Sequence, residues 1–139
     1  MFCRIIKGEL PIFKVYEDER TLAFLDVNPS TPGHTLIIPK AHIAKVEDLP
    51  GEDATALFRA LHVLIGRIQE AVDSPASTIG INNGRESGQE VPHVHIHVIP
   101  RSRGDRGGIV QGIARGHGRP GRDEMDRIAG RIRELASDP

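Results

Sequence analysis

Three observations predict an α+β fold with a five-stranded antiparallel meander sheet for this 139-residue chain. Short runs rich in apolar and β-branched residues, at 15–17, 21–26, 34–38, 78–82 and 92–99, are separated by turn-forming segments. Only Glu52 to Val72 repeats apolar residues at helical spacing over a long stretch. The strands gather before and after that helix instead of alternating with helices, which favours antiparallel pairing over parallel βαβ units.

Each element follows from local chemistry. Residues 2–7 make a short helical turn closed by Gly8 and Pro11. Val15–Glu17 and Thr21–Asp26 flank Asp18-Glu19-Arg20, a hairpin signal. Asn28-Pro29 and Thr31-Pro32-Gly33 form a turn-rich link to a strand at 34–38 that Pro39 ends. In the long helix Leu57, Leu61, Leu64, Ile65, Ile68 and Val72 define the buried stripe. The polar loop from Asn83 to Glu90 is short enough to return the strand at 78–82 into the strand at 92–99. Met125, Ile128, Ile132 and Leu135 repeat at helical spacing and predict a closing C-terminal helix. No internal repeat or second domain is visible, so residues 1–139 read as one domain. A flexible Arg/Gly-rich segment spans about 101–121.

Composition narrows the function classes. With 38% apolar and 27% charged residues, the chain reads as globular and soluble. A net charge of −1 argues against wholesale nucleic-acid binding. Charge is uneven, however: five arginines fall within 101–121, opposed only by Asp105. That segment is either a solvated loop or a source of cations for a bound anion. One cysteine, Cys3, fits a reducing cytoplasm, and neither a signal peptide nor a membrane-length apolar run is apparent.

His93, His95 and His97 carry the chemistry. In an extended strand side chains alternate, so these rings share one face while Val94, Ile96 and Val98 share the other. A face made wholly of imidazole is poor packing, because each buried ring needs hydrogen-bond partners. It suits chemistry near neutral pH, with two readings open: alternate histidines converging on zinc, or one imidazole acting as nucleophile between orienting neighbours. Asn82, Gly84, Gly88 and Gln89 lie just upstream, and glycines let backbone N–H groups approach a phosphate closely. Phe24 and Asp26 alternate on one strand face, which sets an apolar slot beside a carboxylate. His62, within the helix, and His117, in the Arg/Gly segment, are read as incidental.

The run from Gly88 to Arg101 (GQEVPHVHIHVIPR) resembles the signature of the histidine-triad family, His-φ-His-φ-His-φ-φ with φ apolar. The blocks Phe2–Ile6, Val15–Asp18, Leu22–Asp26 and Pro32–Lys40 with His42 agree in order, so the resemblance covers roughly residues 2–101. The Ile-Pro-Arg ending resembles the bacterial hydrolase-like branch. The resemblance implies a hydrolase acting at the α-phosphate of nucleoside phosphoramidates or dinucleoside polyphosphates, through a nucleotidyl-histidine intermediate. His95 would be the nucleophile, flanked by His93 and His97, with His34 as the fourth histidine. Asn82 and Gln89 would contact phosphate, assisted by backbone N–H groups from Gly88 to Glu90. Asp26 would take the ribose hydroxyls, and Phe2, Ile5, Phe24 and Val27 would line the base pocket.

Two departures from the family pattern stand out. Some members hold a structural zinc through Cys-x-x-Cys and two histidines. Here only Cys3, His42 and His93 match, with no earlier cysteine in the sequence. The zinc set is therefore incomplete, and no cofactor is expected to be required. Glu90 stands where many relatives carry Ser or Thr near the leaving group. Other function classes remain: a nucleotidyl transferase, against which His97 speaks because those enzymes usually end the triad with Gln; a purine-nucleotide binding or signalling module; and a zinc hydrolase built on the triad. The expected ligand is a small purine nucleotide, and relatives of this kind imply a homodimer.

Overall fold

The structure, a computed structural model, describes residues 1–137. It divides into a unit ending at Gly107 and a second beginning at Gly108. In the first, a short helix α1 (Phe2–Ile6) precedes β1 (Lys14–Glu17), β2 (Thr21–Leu25) and β3 (Thr35–Pro39). The long helix α2 (Gly51–Ala71) leads to β4 (Ala76–Gly80), and β5 (Ile96–Arg101) ends the sheet. Every pairing is antiparallel, in the order β1-β2-β3-β5-β4. The sheet thus has the predicted α+β class. The meander holds only from β1 to β3: α2 carries the chain past β3, and β5 then inserts between β3 and β4.

The two sheet faces have different partners. Ala23, Ile37, Val94, Ile96 and Val98 meet Leu57, Ala60, Leu64 and Ile68 of α2 in one buried cluster. Leu22, Phe24, Leu36 and Ile38, the alternate residues of β2 and β3, pack with Phe2 on the opposite side. Burial of a side chain such as Ile37 or Leu57 stabilises the fold by about 1.5–3 kcal/mol. Register is therefore strongly set, since a one-residue slip would exchange the faces.

Element boundaries moved where backbone chemistry overrides pattern. The strand expected at 92–99 begins its ladder only at Ile96 and runs on to Arg101. Pro92 has no N–H to offer, and Val94 N–H donates to the Ile43 carbonyl (2.8 Å), outside the sheet. The strand expected at 78–82 runs from Ala76 to Gly80, so Asn82 belongs to the loop. Arg101 is held by a bidentate pair to Asp105 (2.7 and 3.0 Å), so the start of the Arg/Gly segment is structured.

The second unit holds helix α3 (Arg122–Ala136). Its predicted apolar stripe exists, yet Met125, Ile128, Ile132 and Leu135 are all exposed. Helical periodicity specified the helix but not a surface to cover it. Among the described residues, no helix is long and apolar enough to cross a membrane.

Candidate active site

With Val94, Ile96 and Val98 committed to the α2 face, the alternate histidine rings lie against Phe2 and the short helix. They form a continuous row. His42 stacks edge-on to His93 (centroids 5.3 Å), Phe2 touches both His93 (5.6 Å) and His95 (5.1 Å), His95 meets His97 (4.9 Å), and His97 meets His34 (5.2 Å). Cross-strand register explains part of this: His97 sits opposite Leu36 of β3 and Gly80 of β4. The absent side chain at Gly80 leaves the space beside His97 open.

Backbone groups behind the rings fix their tautomers, because a carbonyl can only accept and an amide N–H can only donate. His95 Nδ1 lies 2.8 Å from the His93 carbonyl, so it carries the proton and Nε2 presents a lone pair. His93 Nε2 donates to the Pro39 carbonyl (2.8 Å), which leaves Nδ1 unprotonated and facing His42. His34 is set the opposite way. Its Nδ1 accepts the Ser30 N–H (3.0 Å), so Nε2 carries the proton and donates to His97 Nδ1 (3.0 Å). His97 consequently presents Nε2–H. Burial pushes His34, His93 and His97 below the ordinary imidazole value, with neighbouring histidines adding to the effect at His93 and His97. Asp26, 3.7 Å from His34 Nε2, opposes the shift at His34. The neutral form is thereby favoured at His34, His93 and His97.

A cavity of about 270 Å³ opens beside the row. Phe2, Ile5, Phe24 and Leu36 supply apolar walls, and Asp26 and the exposed Val27 stand at its margin. The structure thus brings together the slot residues that the sequence singled out, with Asp26 between the slot and the histidines.

The upstream loop is bent by two left-handed glycines, Gly84 (φ 101°) and Gly88 (φ 103°), joined by a single 3₁₀ turn at Arg85–Ser87. The Gln89 amide is occupied within this framework. Its Oε1 accepts the Gly84 N–H (2.8 Å), and its Nε2 donates to the Ala44 (2.8 Å) and Val91 (3.0 Å) carbonyls. The Gly88 N–H donates to Arg85, and the Gln89 N–H to Gly84. His62 and His117 are exposed.

Cys3, His42 and His93 form a second convergence. Their ligand atoms lie within 4.8 Å of one another, with Cys3 Sγ and His93 Nδ1 each 3.3 Å from His42 Nδ1. Tetrahedral zinc at ordinary bond lengths places such N···N and N···S pairs about 3.3 and 3.6 Å apart. The Pro39 carbonyl holds the far nitrogen of His93, the arrangement metal-bound histidines use. These three residues fit zinc and leave its fourth position to a further ligand. Asp26, His34 and His97 also converge, but His34 offers them a proton, not a lone pair.

Sequence reasoning missed the groups that set these states: the Ser30 amide and the Pro39 and His93 carbonyls.

An antiparallel α+β sheet bearing a row of tautomer-fixed histidines beside an apolar slot defines a class of histidine-site α+β proteins. Residues 7–104 match the HIT domain, and the chain belongs to that family. It is 45% identical over 115 residues to Protein hit of Bacillus subtilis, covering 79% of this chain and 77% of that one. It is 41% identical over 112 residues to adenosine 5'-monophosphoramidase HNT1 of Saccharomyces cerevisiae, covering 81% and 68% of the two chains. Among solved structures, SMU.412c from Streptococcus mutans superposes with a TM-score of 0.88 at 34% identity, over 99% of this chain and 85% of that one. A Zn-bound histidine triad family protein from Mycobacterium smegmatis superposes at 0.71 with 33% identity, over 99% and 96%.

Proposed function

We propose that this protein hydrolyses nucleoside 5'-phosphoramidates at the α-phosphate, with His95 as the nucleophile. The observation that carries the proposal is the bond from His95 Nδ1–H to the His93 carbonyl, which directs a lone pair out of Nε2 beside a slot sized for a base. The slot walls take an adenine-like ring, and the Asp26 carboxylate accepts from the ribose hydroxyls.

Chemistry then follows from the groups present. His95 Nε2 attacks phosphorus in line with the bond to the leaving group. The ring gains positive charge, which the His93 carbonyl stabilises through Nδ1–H. The His97 Nε2–H donates to a phosphoryl oxygen as charge builds there, assisted by Asn82. The phosphoramidate nitrogen takes a proton from solvent and leaves as a neutral amine. Water then attacks phosphorus, breaks the P–N bond to His95 and releases the nucleotide. Gln89, which the family resemblance assigns to phosphate, supports this chemistry by shaping the loop that surrounds it. A metal held by Cys3, His42 and His93 would supply a cross-link between α1 and the histidine strand, and the groups of the reaction are supplied without it.

The similarity to an adenosine 5'-monophosphoramidase favours a P–N substrate and a purine base over dinucleoside polyphosphates. The protein is expected to work as a cytoplasmic homodimer. Side-by-side turnover of adenosine 5'-phosphoramidate and diadenosine tetraphosphate tests the reading. Preferential cleavage of the phosphoramidate is expected; AMP binding with no cleavage of either compound would instead indicate a nucleotide-binding module.

A further inference from the structure

The phosphate loop is fastened to the segment after His42 at both ends. At the exit, Gln89 bridges Gly84 and Ala44. At the entry, Asn83 Oδ1 accepts the Val46 N–H (2.9 Å) and its Nδ2 donates to Glu47 Oε1 (2.9 Å). Asn83 and Glu47 are both exposed, so this pair contributes little to global stability. The neighbouring Asn82 makes no side-chain hydrogen bond among the described residues. Asn83 is therefore spent on the scaffold, while Asn82 keeps a free amide for a ligand. The pair also connects the loop to the stretch carrying His42 and Ile43, whose carbonyl receives the Val94 N–H at the start of the histidine strand.

We propose that Asn83, paired with Glu47, is a positioning residue that holds the loop and Asn82 in place before nucleotide arrives. The inference rests on the phosphate-site reading above. Pre-organisation of this kind acts on binding: without it, the nucleotide must order the loop.

A polarity exchange tests it. Asn83→Asp keeps the acceptor for Val46 N–H but sets two carboxylates together. Adding Glu47→Gln restores a donor across the same gap with the direction of the bond reversed. Asn83→Asp is expected to raise KM for adenosine phosphoramidate about tenfold with kcat within about twofold. The double variant should recover most of that loss, with melting temperatures within about 2 °C of the parent. Amide exchange over residues 84–90 without nucleotide should accelerate at least fivefold in Asn83→Ala, a readout independent of the reaction. Unchanged exchange would overturn the proposal. So would a double variant as impaired as Asn83→Asp, because added negative charge near phosphate would then explain the loss. A parent that neither binds AMP nor cleaves the phosphoramidate would refute the phosphate-site reading while the exchange result still decides the loop's fastening.

Discussion

The two ends of the histidine row use the same side chain for opposite ends. At the His34–His97 end, an amide N–H behind His34 drives its proton forward to His97. At the His93–His42 end, a carbonyl behind His93 draws the proton back and leaves a lone pair forward. His95, between them, is directed by the His93 carbonyl. Burial makes all three shifted rings harder to protonate, so burial does not distinguish the ends. The backbone group behind each imidazole decides whether it offers its neighbour a proton or a lone pair.

The largest effect expected is at the centre. His95→Asn should lower turnover by about 10³-fold or more while nucleotide binding survives, because the nucleophile goes and the slot stays. Calorimetric AMP binding alongside kcat measurement checks this. Removing the relay at the donor end is expected to cost less. His34→Gln frees His97 to adopt either tautomer and should lower kcat roughly 10–100-fold with little change in KM.

The lone-pair end is expected to respond to metal. One zinc per chain is expected to bind the parent and to be lost on Cys3→Ser or His42→Ala, as read by elemental analysis of dialysed protein. Chelation should lower the melting temperature by several degrees, roughly 1 kcal/mol of clamp, and leave turnover within about twofold. Chelation that abolished turnover would favour a zinc hydrolase built on the triad.

Acid should act on both ends. His34, His93 and His97 bind protons less readily folded than unfolded, where the value is near 6.5. Below that pH the unfolded chain takes up more protons, so stability falls as pH drops and is fully present above about pH 7. Chemical denaturation at pH 7.5 and 5.5 should show the decline, and a His34→Gln variant should show less of it.

Much of this was legible in the sequence. Alternation placed Val94, Ile96 and Val98 in the core and the histidines opposite, and helical spacing in 52–72 located α2 within one residue of its ends. Phe24 and Asp26 do share a slot margin. What pattern does not carry is where backbone groups from distant segments arrive. Pro39 reaches His93 across 54 positions, and Ala44 reaches Gln89 across 45. Ser30 lies four residues from His34, yet only the fold of the intervening turn aims its N–H. For the same reason Gln89 read as a phosphate ligand: its residue type was visible, but its three backbone partners were not. The exposed stripe of α3 marks another limit, since periodicity defines a face and says nothing of what covers it.

The mechanism turns on which histidine bonds to phosphorus. The most direct measurement is to quench the reaction with α-³²P-labelled adenosine phosphoramidate in base and map the acid-labile label by peptide and residue. If His95 is the nucleophile, label is expected on His95 in the parent and none in His95→Asn. Steady turnover with the label on another residue, or through no covalent intermediate, would contradict it.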